Sequence, residues 1–343
     1  MPKIIPIEPT KSDRTTSQSW KLQLSEAITE PAQLLEMLDL DAASCEVFSS
    51  TPQSFSLKVP LAYIKKMQPG DPEDPLLLQV MTQSLELQHV DGFNKNPVGD
   101  LQANKTPGLL HKYYGRVLLI TTAACAVHCR YCFRRHYPYS ELQAGRDQWQ
   151  EAIDYIENDT SVKEVILSGG DPLVLSDEKL DTLLSRLEAI PHLSRLRIHS
   201  RLPVVLPDRI TPALINRLSL SRFNIALVIH ANHANEITEA ESMSLRKLQL
   251  AGVHLLNQAV LLKDINHRVE DQLNLSEALY ACGVLPYYLH LLDPVQGAAH
   301  FDIPLDDALI LMKQLQSRLP GFLIPKLVRE IAGETSKTSA YEL

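Results

Sequence analysis

The chain has 343 residues, of which 45% are hydrophobic and 22% charged, and this composition excludes disorder over its whole length. Its 33 Lys and Arg against 41 Asp and Glu give a formal net charge of −8. Nucleic acids and anionic membranes bind basic surfaces, so we expect neither as a non-specific partner. The N-terminal residues lack the charged start and apolar run of an export signal, and Val117–Val127 is too short to cross a bilayer. We therefore expect a cytoplasmic protein.

The first hundred residues are predicted to be mostly helical. Trp20–Ile28 and Gln33–Leu40 carry apolar residues near helical spacing, with Pro31 between them, and Lys58–Met67 is a third candidate. Asp91–Gly108 is rich in Gly, Asn and Pro, which indicates a linker or a rigid loop. We therefore expect a small N-terminal helical region with its linker over residues 1–105, followed by a second domain over residues 106–343.

From Arg116 onward, short apolar and β-branched runs alternate with helical patterns. Six runs are predicted to be strands: Arg116–Thr122, Lys163–Gly169, Arg195–Ser200, Phe223–His230, Val253–Val260 and Leu285–Leu292. Ser176–Ile190 is the clearest helix, because leucines recur along one face and Ser176 stands at the N-cap position. Pro304 is expected in the first turn of a later helix, with Gly321 after its end.

This alternation predicts a parallel sheet whose strands are joined by right-handed helical crossovers. Six strands are too few for a closed eightfold barrel, so we expect an α/β fold with a partial (β/α)6 barrel rather than a doubly wound sheet. In either fold, functional residues gather at the carboxyl ends of the strands. Polar or reactive residues stand near those ends at Cys125, Ser168–Asp171, Ser200–Arg201, His230, Gln258 and Asp293.

The densest chemical signal is the spacing C-x₃-C-x₂-C formed by Cys125, Cys129 and Cys132, three of the five cysteines of the chain. Thiolates at this spacing in one loop can hold an iron–sulfur cluster. A four-iron cluster with three protein ligands keeps one iron open for another molecule. Two alternatives remain at this point: a dithiol redox pair, and a structural zinc site with His128 or His136 as fourth ligand.

The cysteine motif, with Tyr131 before its last cysteine, resembles that of the radical S-adenosylmethionine superfamily. Leu167–Asp171, with the sequence LSGGD, is similar to the glycine-rich segment of that superfamily. The resemblance implies that the cysteines hold a [4Fe-4S] cluster whose open iron binds S-adenosylmethionine. It also places Ser168, Gly169, Gly170 and Asp171 at that cofactor.

The resemblance extends to the lysine 2,3-aminomutase family from about Lys105 to the C-terminus. The matching stretches, in the same order, are CRYCFRR, LSGGDPL, RIHSRLPVVLPDRIT, NQAVLLKDIN and PYYLHLLDPVQGAAHF. The family carries pyridoxal 5′-phosphate on a lysine, which corresponds to Lys337 in ETSKTSA. A lysine amine is the usual nucleophile toward an aldehyde cofactor. The family's glycine run before this lysine is replaced by IAGETS.

The same resemblance implies roles for further residues. Arg134 corresponds to the arginine that binds the substrate carboxylate, and its planar fork suits that group. Asp293 and Glu330 correspond to the two carboxylates that bind the ε-ammonium of lysine, although the family has aspartate at the second position. The remaining residues expected at the cofactors are Arg116, Tyr113, Tyr288, Ser200, His230 and Gln258.

Within the family, the N-terminal helices and the short tail resemble the branch that makes (R)-β-lysine from L-lysine for the modification of elongation factor P. This resemblance implies a functional link to a lysyl-tRNA-synthetase-like ligase and to elongation factor P, and a reductant such as flavodoxin or ferredoxin. Two other functions remain open: a radical enzyme acting on another amino acid or a peptide, and a noncatalytic iron–sulfur protein that binds a partner.

Overall fold

A curved sheet, whose strands follow one another in chain order, forms the centre of the protein. The computed structural model describes residues 20–41, 55–139 and 149–343. The ten strands within these residues are β1 (Asn104–Thr106), β2 (Leu109–Tyr113), β3 (Arg116–Thr122), β4 (Glu164–Gly169), β5 (Arg195–Ser200), β6 (Asn224–Ile229), β7 (His254–Val260), β8 (Leu285–His290), β9 (Lys326–Arg329) and β10 (Thr338–Ser339).

Strands β3 to β9 are parallel, and the pairs β1–β2, β2–β3 and β9–β10 are antiparallel. The order of the sheet runs from β1 to β10, so these two strands are its edges and the barrel is open. The predicted α/β fold with a partial barrel is therefore confirmed. All six predicted strands are present as β3 to β8, within one or two residues of their predicted bounds.

Helices alternate with the strands of the sheet, and short helices also occur in the N-terminal region. Residues 20–25 are helical, and the helices that follow are α1 (Pro31–Met37), α2 (Leu61–Ile64), α3 (Pro75–Leu78), α4 (Asp100–Ala103), α5 (Gln150–Asn158), α6 (Asp177–Glu188), α7 (Leu202–Val205), α8 (Pro212–Ser219), α9 (Glu239–Leu250), α10 (Val269–Ala281) and α11 (Leu305–Gln316). No helix in the described ranges is both long and apolar enough to span a membrane.

The N-terminal region contains less helix than its sequence predicts. In place of a helix over Lys58–Met67 there is one turn, α2, and Val59 pairs with Ile28 in an isolated β-bridge instead. Pro31 begins α1 rather than separating two helices. The segment predicted as a linker contains α4 and β1, and in the later helix Pro304 is the residue before the first turn of α11.

The N-terminal region and the barrel share one hydrophobic core. Trp20, Leu34 and Tyr63 belong to the same buried cluster as the leucines of α6. In α6 the predicted face is buried, and the Ser176 hydroxyl accepts a hydrogen bond from the Lys179 amide at 3.3 Å, as an N-cap does. The division into regions before and after residue 105 remains a prediction.

Candidate active site

A cavity of about 1100 Å³ lies within the curve of the sheet. It runs from the loop after β3, which carries the cysteines, to the C-terminal segment before β10, which carries Lys337. Every residue predicted for the site lines this cavity, although their sequence positions extend from 113 to 337. The fold thus brings the predicted site residues together, while their individual roles remain predictions.

The three cysteines lie on one loop at the carboxyl end of β3. Burial raises the pKa of the Cys132 thiol to about 11 and also raises that of Cys125, and the neighbouring thiols add to both effects. A bound metal centre opposes this effect, because it favours the thiolate. Three sulfur donors on one loop that lines the cavity are a donor set that fits an iron–sulfur cluster.

The structure does not favour a zinc site here. Nδ1 of His128 lies 2.8 Å from the Ser56 carbonyl oxygen, and Nε2 of His136 lies 3.1 Å from that of Gln296, so only the other ring nitrogen of each histidine could bind a metal ion. In the part of the chain that the structure describes, no three His, Cys, Asp or Glu side chains converge on a position for one ion. Cluster thiolates stand further apart than the ligands of a single ion.

The two glycines of the LSGGD segment pack directly against the cysteine loop. A Cβ on Gly170 would lie 2.3 Å from the Ala124 carbonyl oxygen, and one on Gly169, whose φ is +122°, would lie 2.6 Å from that of Thr122. The Gly170 amide donates to Thr122 O at 2.7 Å, and the Asp171 amide to Ala124 O at 2.8 Å. Only glycine permits this approach, so the segment fixes the loop that carries the thiols.

Asp171 connects the ends of two neighbouring strands. Its buried carboxylate accepts hydrogen bonds from the Ser200 hydroxyl at 2.7 Å and from the backbone amides of Arg201 and Leu202 at 2.8 and 3.0 Å. These contacts tie the end of β4 to the turn after β5. Asp171 and Ser200 both line the cavity. The hydrogen bond between their side chains was not predicted from the sequence.

His230 follows β6 and faces the cysteine end of the cavity. Its Nε2 lies 2.9 Å from the hydroxyl of Tyr131, and the two rings are stacked. Burial lowers the pKa of His230 to about 3, so the imidazole is neutral at physiological pH. Gln258 on β7 lines the same cavity.

At the other end of the cavity, the Lys337 ammonium has a carboxylate partner and an aromatic neighbour. Nζ lies 2.8 Å from Glu330 Oε2 and 5.7 Å from the centroid of the Tyr288 ring. The pKa of Glu330 lies well below its usual range because Lys337 and Lys112 outweigh the effect of burial. The amine therefore lies in a shielded cavity beside an aromatic ring, which suits an anchor for an aromatic aldehyde such as pyridoxal phosphate.

Alternating charges extend from Lys337 along the cavity wall. Lys112 Nζ lies 2.7 Å from Glu330 Oε1 and 2.6 Å from Asp100 Oδ1, and Asp100 Oδ2 accepts from Nε of Arg134 at 2.7 Å. The row contains three cations and two carboxylates, so it attracts an anionic group such as a carboxylate or phosphate. Lys112 and Asp100 did not emerge from the sequence, because neither belongs to a recognisable motif.

Asp293 is a buried carboxyl group whose Oδ1 has no hydrogen-bond partner among the described residues. Burial raises its pKa to about 7, against the opposing effect of Lys337. An ammonium group placed beside it would favour the charged form. The unpartnered oxygen therefore suits the recognition of a cationic part of a ligand.

Tyr113 and Arg116 lie away from the carboxyl ends of the parallel strands. They face each other across the β2–β3 hairpin, and the guanidinium carbon lies 4.6 Å from the ring centroid. Arg116 is the first residue of β3, whereas Cys125 follows its last residue. The cavity is therefore lined by residues from both ends of the parallel strands. The expectation that functional residues gather at the carboxyl ends does not predict this.

Comparison with known proteins identifies the family. Residues 119–271 match the model of the Radical SAM superfamily, which implies a [4Fe-4S] cluster and S-adenosylmethionine as cofactors. The chain is 49% identical over 322 residues to the L-lysine 2,3-aminomutase of Escherichia coli K12, covering 94% of each chain. It is 46% identical to that of Haemophilus influenzae, covering 98% of each chain, and 35% identical to that of Clostridium subterminale, covering 93% of this chain and 77% of the relative. The chain therefore belongs to the L-lysine 2,3-aminomutase family of the radical SAM superfamily.

Proposed function

We propose that this protein converts L-α-lysine into (R)-β-lysine by radical migration of the amino group from Cα to Cβ, with pyridoxal phosphate held by Lys337. The observation that carries this proposal is the single cavity that joins the cysteine loop to Lys337 and to its row of charged side chains. The names and full-length coverage of the relatives support it.

The residues of the cavity divide between the cofactors. Cys125, Cys129 and Cys132 would hold the cluster, and Lys337 would hold the aldehyde cofactor. When bound, the cluster with S-adenosylmethionine would supply a radical, and pyridoxal phosphate a conjugated system that allows the nitrogen to move. The chain itself supplies binding, orientation and isolation.

Arg134 is proposed to bind the substrate carboxylate. Asp100 holds its Nε, which orients the planar fork, and Nη1 also contacts the Ser168 hydroxyl at 3.2 Å. The terminal nitrogens of the guanidinium are therefore the donors that can meet a carboxylate in bidentate geometry.

Asp293 and Glu330 are proposed to bind the ε-ammonium of lysine. Asp293 has a free buried oxygen, whereas Glu330 is engaged by two lysines. If Nζ of Lys337 turns to hold the cofactor, Oε2 of Glu330 loses that partner and becomes available for the substrate.

Several side chains of the cavity wall are buried and carry no charge. Tyr131 is buried, His230 and His290 are neutral because burial lowers their pKa values, and Leu292 lies among apolar neighbours. Enclosure of this kind keeps a reactive radical from side reactions.

We further propose that the product serves the modification of elongation factor P in the cytoplasm, through a lysyl-tRNA-synthetase-like ligase. The electron would come from a flavodoxin or ferredoxin. The support for this role is the sequence resemblance to the corresponding branch of the family.

The decisive experiment is a product assay with protein purified without oxygen and reconstituted with iron, sulfide and pyridoxal phosphate. With dithionite, S-adenosylmethionine and L-lysine, we expect β-lysine by mass spectrometry. Cleavage of S-adenosylmethionine without β-lysine would instead favour another amino acid or a peptide as substrate.

The Lys337→Ala variant tests the cofactor anchor. We expect it to keep the cluster signal in electron paramagnetic resonance but to lose pyridoxal absorbance and β-lysine formation, because the nucleophilic amine is gone. Lys313→Ala, at an exposed position of α11, is the matched control and should keep both. Bound pyridoxal that persists in Lys337→Ala after gel filtration would contradict the assignment.

A further inference from the structure

Arg201 is a buried cation in direct contact with one of the three cysteines. It follows β5, and its Nη1 donates a hydrogen bond to Sγ of Cys129 at 2.7 Å. Its side chain is only 7% exposed. The sequence marks it only as a polar residue near a strand end.

A fixed network of polar side chains holds this guanidinium in place. Nη2, which has two hydrogens, lies within hydrogen-bond distance of three acceptors: Gln79 Oε1 at 2.6 Å, the Tyr63 hydroxyl at 2.9 Å and Glu236 Oε2 at 2.9 Å. Glu236 is fully buried, and its other oxygen accepts from the backbone amide of Asn232 at 2.7 Å. A guanidinium with this many partners cannot turn away from the thiol without leaving buried polar groups unpaired.

Two of these partners come from the N-terminal region. Tyr63 belongs to α2 and Gln79 is the residue after α3, so they lie 138 and 122 positions from Arg201 in the chain. The rings of Tyr63 and Tyr131 face the guanidinium at 5.4 and 5.8 Å from its central carbon. The N-terminal region therefore supports the surroundings of the cysteine loop.

We propose that Arg201 is a positioning residue that raises the reduction potential of the cluster through its hydrogen bond to Cys129. This inference rests on the proposed function only in requiring that the cysteines hold a cluster. Reduction adds one negative charge to the cluster and its thiolates. A donor to a ligating sulfur stabilises that charge, and the effect is large where water is excluded.

Glu236 offsets part of the charge of the guanidinium but leaves its hydrogen bond to sulfur in place. It contacts Nη2, whereas the hydrogen bond to sulfur comes from Nη1. Arg201 would thus make the one-electron reduction of the cluster easier for an external reductant, before any radical is formed.

The test is a redox titration of the reconstituted cluster, without lysine and without S-adenosylmethionine, followed by electron paramagnetic resonance. In Arg201→Met we expect the ratio of reduced to oxidised cluster at a given potential to fall about tenfold, a shift of about 59 mV for one electron. Arg201→Lys keeps a cation but loses the forked donors, so its shift should have the same sign and be smaller.

Arg222→Met is the matched control. Arg222, like Arg201, has a guanidinium with several hydrogen bonds, in its case to three backbone carbonyl oxygens. It lies before the amino end of β6, away from the cysteine loop, so the potential should stay at the parent value. Parent-like potentials in Arg201 variants that hold a full cluster would overturn the inference, and so would failure of both variants to bind iron, which would make the residue structural. Absence of a cluster in the parent protein would instead reject the proposed function.

Discussion

In the role proposed for Asp293 at the ε-ammonium of lysine, the ionisation of its carboxyl group would make substrate binding depend on pH. Its pKa of about 7 means that the carboxyl group is about half ionised at neutral pH in the empty cavity, because burial disfavours the charged form. Only the ionised form attracts an ammonium group. The pKa is raised, so the charged form appears as pH rises through about 7, rather than through the ordinary range of aspartate near 4.

We therefore predict that kcat/KM for L-lysine rises with pH and levels off above about pH 7. Well below pH 7 it should fall about tenfold for each pH unit, since the ionised fraction does so. The measurement is a pH profile of β-lysine formation from pH 5.5 to 8.5. Asp293→Asn should have a low kcat/KM without this rise.

Asp302→Asn is the control for this profile. Burial also raises the pKa of Asp302, but this residue lies outside the residues that line the cavity. Its variant should keep the parent profile. An unchanged rise in Asp293→Asn would show that another group is responsible.

Glu330 shows at the residue scale what the fold adds to the sequence. Its two carboxylate oxygens contact two different lysines, Lys112 and Lys337. The bridging of two cations depends on where β2 and the C-terminal segment lie in the folded chain.

At the level of elements, local signals predicted only the longer strands. Strands β3 to β8 have six or seven residues each and were found. The strands that were not predicted, β1, β2, β9 and β10, have three, five, four and two residues, so a repeating pattern has little room in them. Pairing with a neighbour, rather than propensity, makes them strands.

Helix α6 allows one local signal of the sequence, the N-cap serine, to be tested. We predict that Ser176→Ala lowers the free energy of unfolding by about 1 kcal/mol, because the Lys179 amide loses its cap. Urea denaturation followed by circular dichroism measures this loss. Ser185→Ala, at an exposed position within α6, should not destabilise the protein. Equal stability of Ser176→Ala and the parent would show that the cap contributes nothing.

For the molecule as a whole, Lys66 joins the N-terminal region to the barrel. Its Nζ lies 2.7 Å from Glu241 Oε1 on α9 and donates to the carbonyl oxygens of Val204 and Glu236 at 2.6 and 3.1 Å. Its side chain is 7% exposed and that of Glu241 is 1% exposed. Removing one member of such a pair leaves a buried charge without its partner.

We predict that Lys66→Met lowers the free energy of unfolding by about 3–5 kcal/mol for both regions together. The two tryptophans allow the regions to be followed separately, since Trp20 lies in the N-terminal region and Trp149 before α5. Urea unfolding in the Trp149→Phe and Trp20→Phe backgrounds should give equal shifts. Lys65→Met, at the exposed neighbouring position, should change stability by less than about 0.5 kcal/mol.

A shift confined to the Trp20 signal would contradict this prediction. It would mean that the region before residue 105 unfolds by itself, as an independent domain does. Equal shifts would support a single cooperative unit, as the shared hydrophobic core implies.

The sequence alone was sufficient for features carried by neighbouring residues: the spacing of the three cysteines, the glycines of LSGGD, the period of α6 and the alternation of strands and helices. The position of Lys337 was accessible through resemblance, because a lone lysine near a chain end has no local signature. Apart from Lys337, these features are local, so the folded structure was not needed to see them.

Only the tertiary structure showed which distant groups meet. Arg201 reaches Cys129, Tyr63 and Gln79 from three parts of the chain, and Lys112 lies between Asp100 and Glu330, 218 positions away. Hydrogen bonds and ion pairs act over a few ångströms in space, whatever the separation of their partners along the chain. A single sequence therefore cannot indicate which of these residues are in contact. The packing of β2, β5 and the N-terminal helices brings them together.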